Sequence, residues 1–302
     1  MKHLKIEGLV PAVFTPFDSA GNLNLKIVPH YAEYLIKNGA SGVFVCGTTG
    51  ECVSMTLEER KLLLNAWIKA VSKKILVIAH VGSTCQKDSI VLAEHALSIG
   101  ADAVGSIAPS YFLPKNIQDL IDFYKPVAKA CYPLPFYSYH MPSITGLNLS
   151  MKDFLLYGKK QIPNLNGIKF TSNNFMEMME CICLNNGEFD ILNGFDEMLL
   201  CGLSVGAKAG VGSTYNYSLY VYQQLIAAFL RNDIEAARQW QIKSIEIVNL
   251  IIRHGGGVRG GKAIMKFIGL DCGNCRPPFS SYSKEELSEI ERDFKDIDLI
   301  TV

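Results

Sequence analysis

Short runs of apolar residues recur along the chain and alternate with longer stretches of helical spacing. The runs fall at residues 9–14, 42–46, 75–82, 103–108, 135–139, 167–171, 189–193 and 209–213. Stretches between them, such as 57–74, 87–101 and 116–132, repeat apolar residues every three or four positions, as amphipathic helices do. The pattern therefore predicts eight β-strands that alternate with α-helices.

This alternation predicts parallel pairing of the strands, because each return crossover uses a helix. An open doubly wound sheet and a closed barrel both have this order, and the count of eight favours the barrel, whose usual size is about 250 residues. After the eighth run, residues 216–230, 233–254 and 284–295 again have helical spacing. We predict an α/β fold: a (β/α)8 TIM barrel over residues 1–230, with a helical C-terminal extension over 231–302 packed on it.

Composition narrows the choice of partners. The chain has 302 residues, 49% of them hydrophobic, and its 29 Lys and Arg residues balance 29 Asp and Glu residues. Such a balance gives no basic stripe for nucleic acid or anionic lipid, so small molecules or copies of the chain are the expected partners. The N-terminus lacks the apolar run of a secretion signal, and no run is long enough to span a membrane. We expect a cytoplasmic protein.

Two further patterns are weak signals for bound groups. Nine cysteines are present, mostly in apolar stretches, and the two close pairs, at 181–183 and 272–275, lack the second ligand pair of a zinc site. The stretch GGGVRGGKA at 255–263 nearly has the spacing of a phosphate loop, but Ala263 replaces the residue that binds magnesium and a helix precedes it. We predict neither a metal nor a nucleotide, and expect Lys262→Ala to leave the chemistry described below nearly intact.

Polar residues concentrate where the predicted strands end. In (β/α)8 barrels the catalytic groups lie at the C-terminal ends of the strands and in the loops that follow. Six of the eight ends carry such residues: CGTTGE at 46–51, PSY at 109–111, YH at 139–140, KFT at 169–171, NGFDE at 193–197 and GVGSTYN at 210–216. These residues are expected to share one rim of the barrel.

Lys169 is the most informative of them, because it places an amine within a β-run where solvent is scarce. Burial disfavours the charged form, and a neutral amine condenses with ketones to form a Schiff base. Tyr139, at the end of another strand, is suited to proton transfer. The alternatives are a lysine whose head reaches solvent and a core tyrosine whose hydroxyl has found a partner.

The GTTGE stretch also has two interpretations. The hydroxyls of Thr48 and Thr49 suit a turn that caps the next helix. Alternatively, small residues let hydroxyls and backbone N–H groups converge on an anion such as a carboxylate. Hydroxyl and amide donors beside a reactive amine fit a 2-oxo acid.

Five motifs, in this order and spacing, resemble the class I aldolase family of N-acetylneuraminate lyase and dihydrodipicolinate synthase: GTTGE, YHMP, GIKFTS, NGFDE and GVGSTYN. The resemblance covers residues from about 7 to 280. It implies that Lys169 forms the Schiff base, that Tyr139 shuttles protons, and that Thr48 and Thr49 hold the pyruvate carboxylate, with Thr48 also in the proton relay. No cofactor is implied.

The same resemblance implies an assembly. Tyr111 matches a tyrosine that the family inserts across a subunit interface, in a homotetramer built as a dimer of dimers. His140 departs from the family, which usually has Asn there. Its role, like that of Tyr137, is therefore expected to be supporting.

The residues after the tyrosine motif bear on substrate choice. The synthases have an Arg shortly after this motif for a substrate carboxylate, but Ile144 stands there and cannot pair with one. The lyase branch is matched instead, at positions implied to bind the polyhydroxyl tail of sialic acid: Thr171, Gly194, Asp196, Glu197 and Ser213. We expect cleavage of N-acetylneuraminate to N-acetylmannosamine and pyruvate. Alternatives are another pyruvate-dependent aldolase of the family, such as the synthase or a 2-keto-3-deoxy sugar acid aldolase, and a non-catalytic sugar sensor.

Overall fold

The computed structural model describes residues 4–297. Its strands alternate with helices and lie within the apolar runs or overlap them: β1 (Gly8–Pro11), β2 (Gly42–Val45), β3 (Leu76–His80), β4 (Ala103–Ile107), β5 (Phe136–His140), β6 (Leu165–Phe170), β7 (Asp190–Asn193) and β8 (Ala209–Gly212). The helices over this range are α1 (Val28–Lys37), α2 (Leu57–Val71), α3 (Gln86–Ser98), α4 (Ile117–Ala130), α5 (Pro142–Thr145), α6 (Met151–Gly158), α7 (Phe175–Cys183), α8 (Leu199–Ser204), α9 (Tyr215–Leu230), α10 (Ile234–Arg253), α11 (Gly256–Phe267) and α12 (Lys284–Asp296).

The strands form one parallel sheet in the order β1-β8-β7-β6-β5-β4-β3-β2. A parallel bridge between Ala12 and Phe44 brings β1 beside β2, and the Val13 N–H donates to the Phe44 carbonyl at 3.2 Å. The sheet therefore closes on itself. The predicted (β/α)8 barrel is confirmed.

The helices follow from local signals together with burial of one face. Helix α2 begins with a capping box, in which the Glu59 N–H donates to Thr56 Oγ1 at 3.2 Å and the Thr56 N–H donates to Glu59 Oε2 at 2.9 Å. Its Leu63, Leu64 and Trp67 side chains are buried against the barrel. Each such side chain contributes about 1.5–3 kcal/mol on burial.

A second apolar cluster fills the inside of the barrel, with Phe44, Ile78 and Tyr139 among its members. At the N-terminal ends of the strands this interior becomes polar. The Tyr137 hydroxyl donates to Asp190 Oδ2 at 2.7 Å and accepts from Asn166 Nδ2 at 2.8 Å. The Tyr137 hydroxyl therefore belongs to the polar cluster at the N-terminal ends of the strands, although Tyr137 lies only two residues before Tyr139.

The C-terminal helices contain one helix that the spacing did not predict. Helix α11 covers most of the glycine-rich stretch whose spacing is close to that of a phosphate loop. A Cβ at Gly261 would overlap the Phe14 ring, and one at Gly260 would lie 2.9 Å from the Ile251 carbonyl oxygen. The glycines therefore allow α11 to approach α10 and the segment after β1 closely. The division after residue 230 falls between α9 and α10 and stays a prediction.

Within residues 4–297, no helix has the length and apolar character needed to cross a membrane.

Candidate active site

A cavity of about 440 Å³ opens where the strands end, and the C-terminal helices form one of its walls. All but one of the site residues predicted from the sequence line it: Thr48, Thr49, Tyr139, Lys169, Thr171, Gly194, Asp196, Glu197 and Ser213. They come from different strand ends that the barrel places on one rim. The exception is Tyr111, which lies outside the cavity.

Lys169 and Tyr139 form the floor of this cavity. They are direct partners in the parallel register between β6 and β5. The Lys169 Nζ lies 3.7 Å from the centre of the Tyr139 ring and 5.3 Å from the centre of the Phe44 ring. Lys169 is 5% exposed, so aromatic rings rather than solvent surround its amine. A lysine enclosed in this way is suited to add to a carbonyl group in the cavity.

The Tyr139 hydroxyl connects the floor with the loop after β2. It lies 3.4 Å from Thr48 Oγ1 and donates to Met141 Sδ at 3.0 Å. Thr48 is half-buried and Thr49 is buried, and both border the cavity. The arrangement gives a path for a proton between Thr48 and Tyr139, beside the lysine amine.

The loop that carries the two threonines has a tightly specified shape. Cys46 and Glu51, at its two ends, have φ values of 61° and 53°, in the left-handed region that few non-glycine residues adopt. Thr15 Oγ1 donates to the Gly50 carbonyl at 2.6 Å. The Glu51 N–H donates to the Thr48 carbonyl at 3.0 Å. The backbone that carries the two hydroxyls is therefore fixed by a bond within the turn and by a bond from Thr15, in the segment after β1.

The Asp196 side chain is fixed in the cavity wall by two hydrogen bonds from one residue, which the sequence did not predict. Its Oδ2 accepts from the Thr214 N–H at 2.8 Å and from Thr214 Oγ1 at 2.6 Å. A Cβ at Gly212 would overlap its Oδ1, which has no hydrogen-bond partner within the described residues. Burial raises the pKa of Asp196. Glu197 is half-buried, and burial together with the neighbouring Asp196 charge raises its pKa as well.

Thr171 and Gly194 depend on each other. Thr171 is buried, and its hydroxyl has no hydrogen-bond partner within residues 4–297. A Cβ at position 194 would overlap that hydroxyl, so only glycine leaves room for it. Ser213 is half-buried and lines the cavity near the end of β8. These groups add small polar surfaces beside the two carboxyl groups.

Two features had no clear signal in the sequence: a histidine whose ring centre lies 5.9 Å from that of Tyr139, and one wall of the cavity. Buried His80, at the end of β3, donates from Nδ1 to the Cys46 carbonyl at 2.7 Å and accepts the Ile107 N–H at Nε2 at 3.3 Å. Burial lowers its pKa to about 3, so the ring is neutral near pH 7. The second feature is an apolar wall from α10 and α11, which includes Val248, Ile252 and Val258.

His140 packs against an aromatic ring, and the cysteines form no disulfide. Burial lowers the pKa of His140 to about 4, and its ring lies 5.1 Å from the Phe170 ring. All nine cysteines are free thiols. Among the residues that the structure describes, no group of three His, Cys, Asp or Glu side chains is arranged to hold a metal ion.

Tyr111 lies on the exposed loop between β4 and α4. Its side chain is 82% exposed and that of Phe112 is 84% exposed. The two rings meet edge to face, with their centres 5.0 Å apart. Ile144, at the position that suggested the branch of the family, is 53% exposed and lines the cavity. An apolar side chain therefore stands at the cavity mouth, at the position where the synthases resembled by the sequence have an Arg.

Comparison with known sequences assigns the chain to a protein family. The sequence profile of the dihydrodipicolinate synthetase family matches residues 5–297. The chain belongs to this family. The N-acetylneuraminate lyases of Mus musculus and Gallus gallus are each 37% identical to it, over 98% and 97% of this chain and over 94% and 96% of their own lengths. The family membership predicted from the motifs is thus confirmed.

Solved structures agree with this assignment. The N-acetylneuraminate lyase of Proteus mirabilis superposes with a TM-score of 0.95 at 34% identity and covers 98% of this chain and 100% of its own. The sialic acid aldolase of Aliivibrio salmonicida also reaches 0.95, at 35% identity, over 100% of this chain and 99% of its own. A dihydrodipicolinate synthase from Bacillus anthracis superposes at 0.90 with 28% identity, over 97% and 98%. Both branches of the family share the barrel.

Proposed function

We propose that this protein is an N-acetylneuraminate lyase, a class I aldolase that cleaves N-acetylneuraminate into N-acetylmannosamine and pyruvate. The observation that carries the proposal is the pairing of the buried Lys169 amine with the Tyr139 ring, 3.7 Å apart, on the floor of a cavity. Relatives of that name match nearly the whole chain. The cavity has Ile144 at its mouth and the Asp196 and Glu197 carboxyl groups in its wall.

The reaction follows from these positions. The Lys169 amine adds to the C2 ketone of the open-chain sugar acid, and loss of water gives an iminium ion. Thr48 and Thr49 hold the adjacent carboxylate through hydroxyl and amide donors. The Tyr139 oxygen takes the proton from the C4 hydroxyl, the C3–C4 bond breaks, and its electrons move into the iminium to give an enamine.

The remaining steps return the enzyme to its starting state. The C4 hydroxyl becomes the aldehyde of N-acetylmannosamine, which leaves. Tyr139 delivers the proton to C3 of the enamine, and water hydrolyses the resulting iminium to release pyruvate and restore the lysine amine. Proton transfer by a positioned side chain contributes typically about 10²–10⁴-fold to such a rate.

The tail of the sugar fits the other wall. Its hydroxyl groups are donors, and the Asp196 and Glu197 side chains present acceptor oxygens. Thr171, Gly194 and Ser213 complete this side. The substrate is therefore expected to lie with its ketone at Lys169 and its hydroxylated tail toward β7 and β8.

We also propose that the protein acts in the cytoplasm as a homotetramer, a dimer of dimers. The exposure of the Tyr111 and Phe112 side chains, together with that of Leu113 at 41%, supports the assembly. Adjacent exposed apolar side chains on a rim loop are typical of a surface that another molecule covers. A second copy of the chain is the partner that the family resemblance implies.

A parallel assay on two substrate sets tests the function. Purified protein is given either N-acetylneuraminate, with pyruvate release followed, or pyruvate with aspartate semialdehyde, with pyruvate consumption followed. We expect release in the first assay and no consumption in the second. Consumption that exceeds release would assign the protein to the synthase branch. Absence of both, with no adduct after borohydride reduction in pyruvate, would refute an aldolase.

A further inference from the structure

A buried ion pair joins the loop of the two threonines to the C-terminal extension. The Lys262 Nζ on α11 lies 2.6 Å from Glu51 Oε1, and the two side chains are 3% and 1% exposed. Glu51 is the last residue of the GTTGE turn, two residues after Thr49. The pair is therefore next to the proposed carboxylate-binding site, although neither of its members lines the cavity.

The segment that precedes α12 completes this connection. The Arg276 N–H donates to Glu51 Oε2 at 2.8 Å, and Lys262 Nζ donates to the Asn274 carbonyl at 3.1 Å. The Arg276 guanidinium donates to the Ser54 carbonyl at 2.8 Å and pairs with Glu59 on α2. The extension thus gives Glu51 Oε2 a hydrogen bond and Oε1 an ion pair that lacks hydrogen-bond geometry. The residues that follow the turn are held by the same arginine.

Stability alone is a poor explanation for this arrangement. Removing two charges from water offsets much of their attraction, and well-packed apolar side chains of similar volume often stabilise a fold equally well. Apolar side chains, however, impose little direction on the backbone. Glu51 holds a left-handed backbone conformation with φ 53°, which a directional contact from its side chain can maintain.

We infer that Glu51 and Lys262 are positioning residues for the carboxylate group of the substrate. They hold the Glu51 end of the turn, and the Glu51 N–H in turn donates to the Thr48 carbonyl at 3.0 Å. The inference rests on the proposed function, in which Thr48 and Thr49 bind a 2-oxo acid. It assigns to the C-terminal extension a part in substrate binding that is separate from its wall of the cavity.

The test compares pyruvate binding in variants. The double variant Glu51→Gln/Lys262→Met removes both charges, so that neither is left buried without its partner. The readout is the pyruvate concentration that gives half-maximal borohydride trapping at Lys169. We expect an increase of about tenfold or more, within the roughly 10²-fold that a misplacement of about 1 Å can cost. The single variant Lys262→Arg, which keeps both charges of the pair, is expected to retain most of the wild-type affinity for pyruvate.

A matched control separates positioning from loss of stability. Tyr137→Phe/Asp190→Asn removes a buried polar pair at the opposite end of the barrel. It is expected to leave half-saturation unchanged, even where its thermal stability falls as far as that of the first double variant. If Glu51→Gln/Lys262→Met does not fold, the variant Glu51→Gln/Lys262→Gln, which also removes both charges but keeps two side chains that can hydrogen-bond, is measured in the same way.

The outcomes separate this inference from the proposed function. Wild-type half-saturation in whichever of the two double variants folds would overturn the positioning role, while wild-type trapping would still support an aldolase. An equal increase in the Tyr137→Phe/Asp190→Asn control would also overturn it, because the effect would then be general. No trapping in the wild type would instead refute the proposed function.

Discussion

The Lys169 amine lies above the ring of Tyr139 because the two residues are partners in the parallel register of β6 and β5. Their contact is set by the strands, and neither residue depends on a loop for its position. In a parallel sheet, partners point to the same side, and here that side is the barrel interior. The barrel therefore supplies a preorganised amine and hydroxyl at one rim.

We expect Lys169→Ala to abolish both turnover and trapping by borohydride in the presence of pyruvate. Alanine has no amine to form the Schiff base, so no adduct is expected in the intact mass spectrum. Lys125→Ala, which removes an exposed lysine on α4, serves as the control and should keep both. Undiminished trapping in the Lys169 variant would show that another lysine reacts.

Tyr139→Phe is expected to retain imine formation and to lose cleavage of N-acetylneuraminate by about 10²-fold or more, the usual scale for a general acid–base group. The ring stays, so the surroundings of Lys169 are preserved. Tyr137→Phe is the matched control, because it removes a tyrosine hydroxyl two residues away that donates to Asp190 instead. Equal loss of cleavage in the two variants would argue against proton transfer by Tyr139.

Much of the fold and most of the candidate site could be predicted from the sequence. Each apolar run overlaps a strand, and the TIM barrel topology then brings polar strand ends such as Thr48, Lys169 and Asp196 to one rim. The prediction succeeded because both steps use local information: the length of an apolar run and the residues that end it. Tyr111 stays a prediction, since its proposed partner lies on another chain.

What could not be predicted depends on contacts between distant residues. Helix α11 was missed because Gly256, Gly257, Gly260 and Gly261 lower helix propensity, and its packing against Phe14 overrides this effect. The expectation that Lys262→Ala is nearly neutral stays a prediction, and the positioning role inferred for Lys262 runs against it. The structure places Lys262 in a buried pair with Glu51, which lies far from it in the chain. An exposed lysine is the better control.

Glu197→Gln is expected to raise the KM for N-acetylneuraminate by about tenfold while leaving pyruvate trapping unchanged. Glutamine keeps one acceptor oxygen but not the charge, and a hydrogen bond to a charged group contributes about 1.5–3 kcal/mol against about 0.5–1.5 kcal/mol for a neutral one. The difference of about 1–1.5 kcal/mol corresponds to about tenfold and falls on the sugar tail alone. Steady-state kinetics and trapping measure the two effects separately. Asp196→Asn should in addition lower stability, because its carboxylate accepts two hydrogen bonds from Thr214. A parallel loss of pyruvate binding in Glu197→Gln would contradict this division.

Asp190 is expected to make stability depend on pH. Burial raises its pKa to about 6, from an ordinary 3.8, so the folded state holds the proton more tightly than the unfolded state. Its contribution is therefore largest below pH 4 and is lost as the pH rises to about 6. Asp190→Asn keeps an acceptor for the Tyr137 hydroxyl but does not titrate. The variant should gain about 2 kcal/mol relative to wild type between pH 4.5 and 7.

Denaturant unfolding of both proteins at the two pH values measures that change. The comparison cancels the contributions of other titrating groups, which the two proteins share. A difference that does not vary with pH would mean that Asp190 titrates normally in the folded protein. A change of the opposite sign would mean that its neighbours stabilise the carboxylate more than burial disfavours it.

The last prediction concerns assembly and the loop of Tyr111. Its three apolar side chains, Tyr111, Phe112 and Leu113, are exposed in the single chain, and Tyr111 is too far out to line its own cavity. We expect Tyr111→Glu/Leu113→Lys to weaken the dimer and to lower turnover together, because charges introduced into an apolar contact are desolvated without partners. Sedimentation at several protein concentrations, with turnover measured on the same samples, checks the coupling.

The matched control is Met176→Glu/Met179→Lys, which places the same charges on exposed positions of α7, away from the cavity. It should change neither property. A fully active monomer would show that each chain has a complete site, since a self-complementary contact that supplies Tyr111 to a neighbour cannot operate without that neighbour.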